Sequence, residues 1–367
     1  MRGYRARAPM DGPLELSRRG AHARLYSQRP DCAGAARRGH HQPCGHCRAS
    51  GQRVLTRRAG ILMNTQASEL RSAFFALVGR PNSGKSTLLN AILEEELSIV
   101  TSVPQTTRRN LRGVYNAPGL QIVFVDTPGL HRGAHALNDV MYAQAARSIA
   151  DGSIDVVCYV VDLSRAFGEE EDAVAGLVAG AGTQVIIVFN KADACPTPEA
   201  RRAEFAARYP AFSDRPAITV SALDASAARA AFLSVAEPLA GPGPRYFPQE
   251  DLTDADMRFL AAELIRKRII EATREEVPHA VCVEIISYKE QEDLHRIDAA
   301  IHVETTGQKG IVIGKQGSLI RRIQNQAQRD IARLAGARAR LKCHVRVTPK
   351  WRDNRRFLRE MGIERPG

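Results

Sequence analysis

The sequence predicts an α/β protein in two parts: a doubly wound, mostly parallel sheet, then a smaller α+β domain. Three observations carry that expectation. Five short apolar runs between residues 73 and 222 alternate with stretches of helical apolar spacing. A Pro/Gly-rich break, "AGPGPRYFPQED" (240–251), interrupts the alternation. Beyond it both the element order and the charge change: residues 306–367 hold 16 basic and 4 acidic side chains, against 23 and 33 in residues 63–305. The expected boundaries are 63–240 for the first domain, 241–254 for a linker and 255–367 for the second domain. A compact basic end beside an acidic body points to a polyanion partner, nucleic acid above all. No apolar run reaches the roughly 20 residues of a membrane-spanning helix. Cys158, Cys195, Cys282 and Cys343 stand singly, which fits reduced thiols in the cytoplasm.

Residues 1–62 carry 13 arginines, no lysine and three acids, without apolar periodicity, and should build no core. The favoured reading takes Met63 as the true start, because an ordinary domain opening follows it. An Arg-rich, acid-poor transit peptide is the second. A third gives Cys44 and Cys47 of "HHQPCGHC" to zinc, but no second ligand pair follows to close the site.

The first domain opens with "AFFALVGR" (73–80), a buried strand ending in glycine. "GRPNSGKST" then fits G-x-x-x-x-G-K-[ST], and "STLLNAIL" continues at helical spacing. Strand, Gly-rich loop and helix in that order make a phosphate-binding P-loop. Its residues are Gly79, Arg80, Pro81, Asn82, Ser83, Gly84, Lys85, Ser86 and Thr87. Backbone N–H groups and the helix N-terminus receive the phosphates, Lys85 reaches the β- and γ-phosphates, and the Ser86 hydroxyl ligates Mg²⁺. The strand "LQIVFVDTPGL" (120–130) brings Asp126, Thr127, Pro128, Gly129 and Leu130. Asp126 is expected on the Mg²⁺ side, and the Gly129 N–H at the γ-phosphate. "VIIVFNKADA" (185–194) supplies Asn190, Lys191, Ala192 and Asp193. The Asp193 carboxylate can accept two hydrogen bonds from the N1–H and N2–H₂ edge of guanine, which adenine lacks. Asn190 supports the loop, the Lys191 stem covers the base, and Ser221 and Ala222 of "TVSAL" bring an N–H to guanine O6.

After "AGPGPRYFPQED", a helix over 251–273 with a Thr/Asp start signal is expected, then strands over 280–290 and 295–305 and a final strand over 341–349. Two G-x-x-G matches overlap in "GQKGIVIGKQGSLI". The second is chosen, because Ile311, Val312 and Ile313 precede it and Leu319, Ile320 and Ile323 follow at helical spacing. That order is the order of a type II KH domain. Gly314, Lys315, Gln316 and Gly317 would then clamp the backbone of single-stranded nucleic acid, with Arg321, Arg322, Arg346, Lys350 and Arg352 widening the basic groove.

These motifs resemble the G-boxes of the translation-factor-related GTPases. The remaining box falls in "PQTTRRN" (104–110), with Thr107 chosen as the threonine that closes on Mg²⁺ and γ-phosphate, and Thr106 as its competitor. Lys85, Thr107 and Gly129 are the groups expected to act on the γ-phosphate. The residue after Gly129 is Leu130, which cannot orient a water, so the resemblance implies slow unaided hydrolysis. His131 follows and is read as a solvent-facing switch residue. The resemblance also gives Asn82 a part in holding K⁺. A G domain joined by a short linker to a type II KH domain is similar to the Era GTPases from about Met63 to the C-terminus. It implies a monomeric, cytoplasmic GTPase that uses Mg²⁺ with GTP or GDP. It implies binding to the 3′ end of small-subunit ribosomal RNA, work in assembly of the small ribosomal subunit, and peripheral association with the inner membrane. The competing reading is a membrane-associated signalling GTPase whose RNA binding is secondary.

Overall fold

The structure, a computed structural model, describes residues 70–101, 103, 106–130, 135–150 and 152–364. The N-terminal readings, including Met63, Cys44 and Cys47, and the reading of His131 lie outside the described residues.

The first domain runs β1 (Arg71–Val78), α1 (Lys85–Leu93), β2 (Leu111–Ala117), β3 (Leu120–Asp126), α2 (Ala136–Ala150), β4 (Val156–Asp162), α3 (Glu169–Ala179), β5 (Gln184–Asn190), α4 (Pro198–Arg208), β6 (Ala217–Thr219) and α5 (Ala225–Ala236). The sheet order is β2-β3-β1-β4-β5-β6. β1 pairs in parallel with β3 and β4, β4 with β5, and β5 with β6. β3 and β4 are buried at every position. Helices cover both faces, which is why these strands read as continuous apolar runs. Phe75, Phe124 and Phe232 centre one core with α1 and α5; Tyr159, Val174 and Phe205 centre the other with α2, α3 and α4.

Along the path β2-β3-β1-β4-β5-β6, β2 is the strand that breaks the parallel pattern. It forms a hairpin with β3, turning at Pro118–Gly119, where Gly119 takes φ 72°. The sequence reading had no strand there. "LRGVYNA", interrupted by the exposed Arg112, lacks the continuous buried apolar run that marked the others.

The connection to the second domain is sewn to the sheet. β7 (Gly241–Pro242) pairs antiparallel with the start of β1. The fully buried Gln121 amide then accepts from the Tyr246 and Phe247 N–H groups and donates to the Phe247 carbonyl. Farther on, Val114 N–H donates to the Leu252 carbonyl, and Thr253 Oγ1 to the Arg112 carbonyl.

The second domain runs α6 (Met257–Ala272), β8 (Cys282–Gln291), β9 (Leu294–Val303), α7 (Thr306–Ile313), α8 (Ser318–Ala335), β10 (Arg338–Val347) and α9 (Arg355–Glu360). Its sheet order is β10-β9-β8, with β9 antiparallel to β8 and parallel to β10. α6 and α8 pack on the sheet through Ile265, Ile269, Ile323 and Ile331. Two expectations need correction. The helix expected from residue 251 starts at Met257, capped by Asp256, whose carboxylate accepts from Phe259 N–H at 2.7 Å. Thr253, read as part of the start signal, instead serves the linker. The last strand starts at Arg338, not 341, because its parallel register with β9 begins at Leu294.

Candidate functional site

The phosphate loop leaves β1 at Gly79 and enters α1 at Lys85. Sterics dictate both of its framing glycines. A Cβ on Gly79 would stand 2.4 Å from the Val160 carbonyl oxygen. One on Gly84, at φ 93°, would stand 2.1 Å from Asn190 Nδ2. The Lys85 ammonium is buried and donates to the carbonyls of Gly79 at 3.1 Å and Arg80 at 2.9 Å. Burial lowers its pKa to about 8, against the pull of Asp126. Below that pH the lysine is charged with or without phosphate. Above it the free protein loses the proton that an anion needs. Nucleotide affinity is therefore expected to hold below pH 8 and to fall at higher pH by up to about tenfold per unit, measured by equilibrium titration.

Three hydroxyls converge on one carboxylate. Asp126 Oδ2 accepts from Ser86 Oγ at 2.8 Å, Ser98 Oγ at 2.7 Å and Thr107 Oγ1 at 3.3 Å. Ser86 Oγ and Thr107 Oγ1 are 3.0 Å apart. Asp126 Oδ1 is buried with no partner. Desolvation raises the Asp126 pKa, opposed by Ser98, Lys85, Ser86 and Thr107. Hard oxygen donors around an orphaned carboxylate oxygen suit Mg²⁺, and Ser86, Thr107 and Asp126 are the side chains that could hold it. Thr106 turns elsewhere: its Oγ1 donates to the Val103 carbonyl at 3.0 Å. Ser98 carried no signal in the sequence; Asn90 brings it in by accepting the Leu97 and Ser98 N–H groups.

The loop after Asp126 closes on the phosphate loop. Thr127 Oγ1 donates to the Leu77 carbonyl, and Leu130 N–H to the Gly79 carbonyl. A Cβ on Gly129 would stand 2.8 Å from Pro81 Cα, and Pro128 beside it is buried. Leu130 is buried in the core with Val125 and Ala145, consistent with a residue that handles no water. Arg80 turns its side chain inward, pairing with Glu171 at 2.5 Å, and Glu171 also accepts from Tyr159. Only the Arg80 backbone faces the phosphate loop.

Asn190 staples the base-reading segments together. Its Nδ2 donates to the Ser83 carbonyl at 2.9 Å, and its Oδ1 accepts the Ala222 N–H at 2.9 Å. The Ala222 N–H assigned to guanine O6 is thus shared with Asn190. Lys191, at φ 61°, is held by Asp162 Oδ2 at 2.8 Å, an acid that the sequence reading passed over although it faces Asn190 across β4 and β5. Asp193 is exposed on the short turn Ala192–Ala194. α5 begins at Ala225, three residues after Ala222.

In the second domain "GQKG" lies inside α7, and "GKQG" forms the turn between α7 and α8. Gly314, Gln316 and Gly317 take φ of 72°, 51° and 74°. Lys315, Gln316, Arg321 and Arg322 are exposed, and Arg321 Nη2 donates to the Gln316 carbonyl at 2.7 Å. Arg346 and Lys350 are exposed as well. Arg352 is not a free groove cation: it pairs with Glu304 at 2.5 Å and is mostly covered.

Two family models match the chain. A 50S ribosome-binding GTPase model covers residues 74–191, and a KH domain model covers residues 276–352. The chain is 42% identical to the GTPase Era of Geotalea uraniireducens over 299 residues, covering 81% of this chain and 99% of the relative. The chain belongs to the Era GTPase family. The GTPase Era of Synechocystis is 39% identical over 295 residues, 80% of this chain and 92% of the relative. Two solved Era structures superpose with TM-score 0.75 at 28% identity, each covering 81% of this chain and all of the other. One is an Aquifex aeolicus Era variant bound to GDP and aluminium fluoride; the other is an Era with MgGDPNP and nucleotides 1506–1542 of 16S ribosomal RNA. Membership of the Era family carries the G domain, the KH domain and GTP hydrolysis. Among the described residues no helix is long and apolar enough to cross a membrane.

Proposed function

We propose that this Era-family chain is a GTP-driven switch that binds the 3′ end of small-subunit ribosomal RNA through its KH domain and serves assembly of that subunit. The single observation that carries it is the presence of two differently built phosphate loops in one chain. One backs onto Asp126 and its three hydroxyls, and the other faces solvent with Lys315, Arg321 and Arg322. The Era solved with MgGDPNP and a 16S segment supports both ligands. Lys85 holds the β- and γ-phosphates, Ser86, Thr107 and Asp126 hold Mg²⁺, and the Gly129 N–H meets the γ-phosphate. Mg²⁺, when bound, neutralises charge shared by the β- and γ-phosphate oxygens. Asn190, Lys191, Asp193, Ser221 and Ala222 frame guanine.

The test is GTP turnover with and without small subunits, together with salt-dependent binding to an rRNA 3′ tail and to anionic vesicles. Stimulation by subunits and preference for the tail support the proposal. Tighter binding to vesicles, with no stimulation, would favour the membrane-signalling reading. The K⁺ part of the reading gives Asn82, at φ 61° in the phosphate loop, a share in a monovalent cation. Hydrolysis is expected to run faster in KCl than in NaCl at equal ionic strength, and equal rates would remove K⁺ from the account.

A further inference from the structure

The second domain grips the segment that carries Thr107. Arg108, the next residue, is only 6% exposed at the domain boundary. Its Nη1 donates to the Val281 carbonyl at 2.6 Å, and its Nη2 to the His279 carbonyl at 3.0 Å. Its guanidinium lies 5.4 Å from the ring centroid of Trp351. Trp351 is fully buried, and its indole N–H donates to the Ala280 carbonyl at 2.8 Å. On the other side of Thr107, Arg266 of α6 donates to the Thr106 carbonyl. Both neighbours of Thr107 are therefore held by the second domain, while Thr107 itself touches Ser86 and Asp126. Adjacent Cα atoms stand about 3.8 Å apart, so none of the three residues can shift without moving the next.

This contact is an expensive way to join two domains. Arg108 Nε, Arg266 Nη1 and Arg352 Nε are buried donors without a partner. Burial lowers the Arg108 pKa to about 10, and Arg266 adds to that. A well-packed apolar side chain would commonly join the domains at lower cost. What arginine adds is direction: a planar fork fixed on two carbonyls, which an apolar residue cannot supply. The surrounding interface is also incompletely packed. A cleft of about 830 Å³, lined by Arg112, Gln144, Arg147, Arg258 and Phe259, lies between the domains.

We propose that Arg108 is a positioning residue for GTP hydrolysis, transmitting the seating of the KH domain to Thr107 Oγ1. The metal site is then complete only when the second domain is docked. The inference rests on the reading of Thr107 as a ligand of Mg²⁺ in the GTP state. GDP binding, which does not require Thr107 on the metal, is outside its reach.

The test uses the full chain and three measurements: single-turnover GTP hydrolysis against Mg²⁺ concentration, GDP affinity, and the emission of Trp351, the only tryptophan in the sequence. Arg108→Ala is expected to raise the Mg²⁺ concentration for half-maximal hydrolysis about 10- to 100-fold, the usual cost of losing a residue that orients a metal ligand. GDP affinity should stay within about twofold, since uniform binding is untouched. Trp351 emission should differ between GDP and GDPNP in the wild type and cease to differ in Arg108→Ala. Arg108→Lys, able to reach one carbonyl, should fall between. If Arg108→Ala keeps the wild-type Mg²⁺ dependence while Thr107→Ala shifts it, the coupling is wrong and the Thr107 reading stands. If Thr107→Ala shifts nothing, the Thr107 reading itself fails. Should Arg108→Ala not fold, Arg266→Ala, which frees the Thr106 carbonyl and otherwise only Glu263 of its own helix, must move the Mg²⁺ dependence the same way or the proposal falls.

Discussion

Asp193→Asn is expected to move base preference from guanine to xanthine nucleotides. The carboxylate stands exposed on the turn Ala192–Ala194, presented by the left-handed backbone at Lys191. Two charge-assisted hydrogen bonds to the guanine edge are each worth about 1.5–3 kcal/mol, so losing both should weaken guanine binding by roughly two to four orders of magnitude. Xanthine carries a carbonyl where guanine carries its amino group, and an amide can donate to it. Asn190 and Lys191 keep their own partners, so the frame of the pocket survives the change. Competition between GDP and XDP for one fluorescent nucleotide measures the switch. Unchanged preference would end the base-reading argument.

Gly317→Asp is expected to remove RNA binding and spare GTP binding. Gly317 takes φ 74°, and an added Cβ would meet nothing closer than Arg321 Nη1 at 3.5 Å. Among residues with a side chain, aspartate tolerates that backbone better than most, so the domain should fold. Its charge does the damage. The new carboxylate would repel phosphate and draw Arg321 away from it, lowering affinity for an rRNA 3′ tail by roughly a hundredfold at physiological salt. GTP affinity should match the wild type, because the turn between α7 and α8 belongs to the other domain. A parallel loss of GTP binding would refute the division of labour between the loops.

The nucleotide site was legible because its chemistry sits in side chains and glycines at fixed spacing along strand ends. Gly84 is glycine because Asn190 fills the space where a Cβ would go, and both lie in motifs visible in the sequence. The choice of the second G-x-x-G was legible for a similar reason: apolar residues at helical spacing put the first one inside α7. Ser98 left no trace, because its role depends on Asn90 folding the following loop back onto Asp126. Arg108 was hidden for a different reason. Its partners lie some 170 residues away and are backbone carbonyls, which carry no residue identity. The misplaced start of α6 follows from the linker, where Thr253 offers the chemistry of a cap but spends it on the Arg112 carbonyl.

Gln121 has a consequence for how far the KH domain can travel. By fixing Tyr246 and Phe247 to the sheet, with Leu252 and Thr253 fixed behind them, it leaves at most residues 254–256 between the sewn linker and α6, and Asp254 of these still pairs with Arg112 of β2. Three extended residues span at most about 10 Å. The joint between the domains is therefore a pivot and not a tether. Were its contacts with α2 and with the Thr107 segment released together, the KH domain would turn about a nearly stationary point beside β2, and its Gly314–Gly317 turn would sweep an arc around the G domain instead of searching the volume around it.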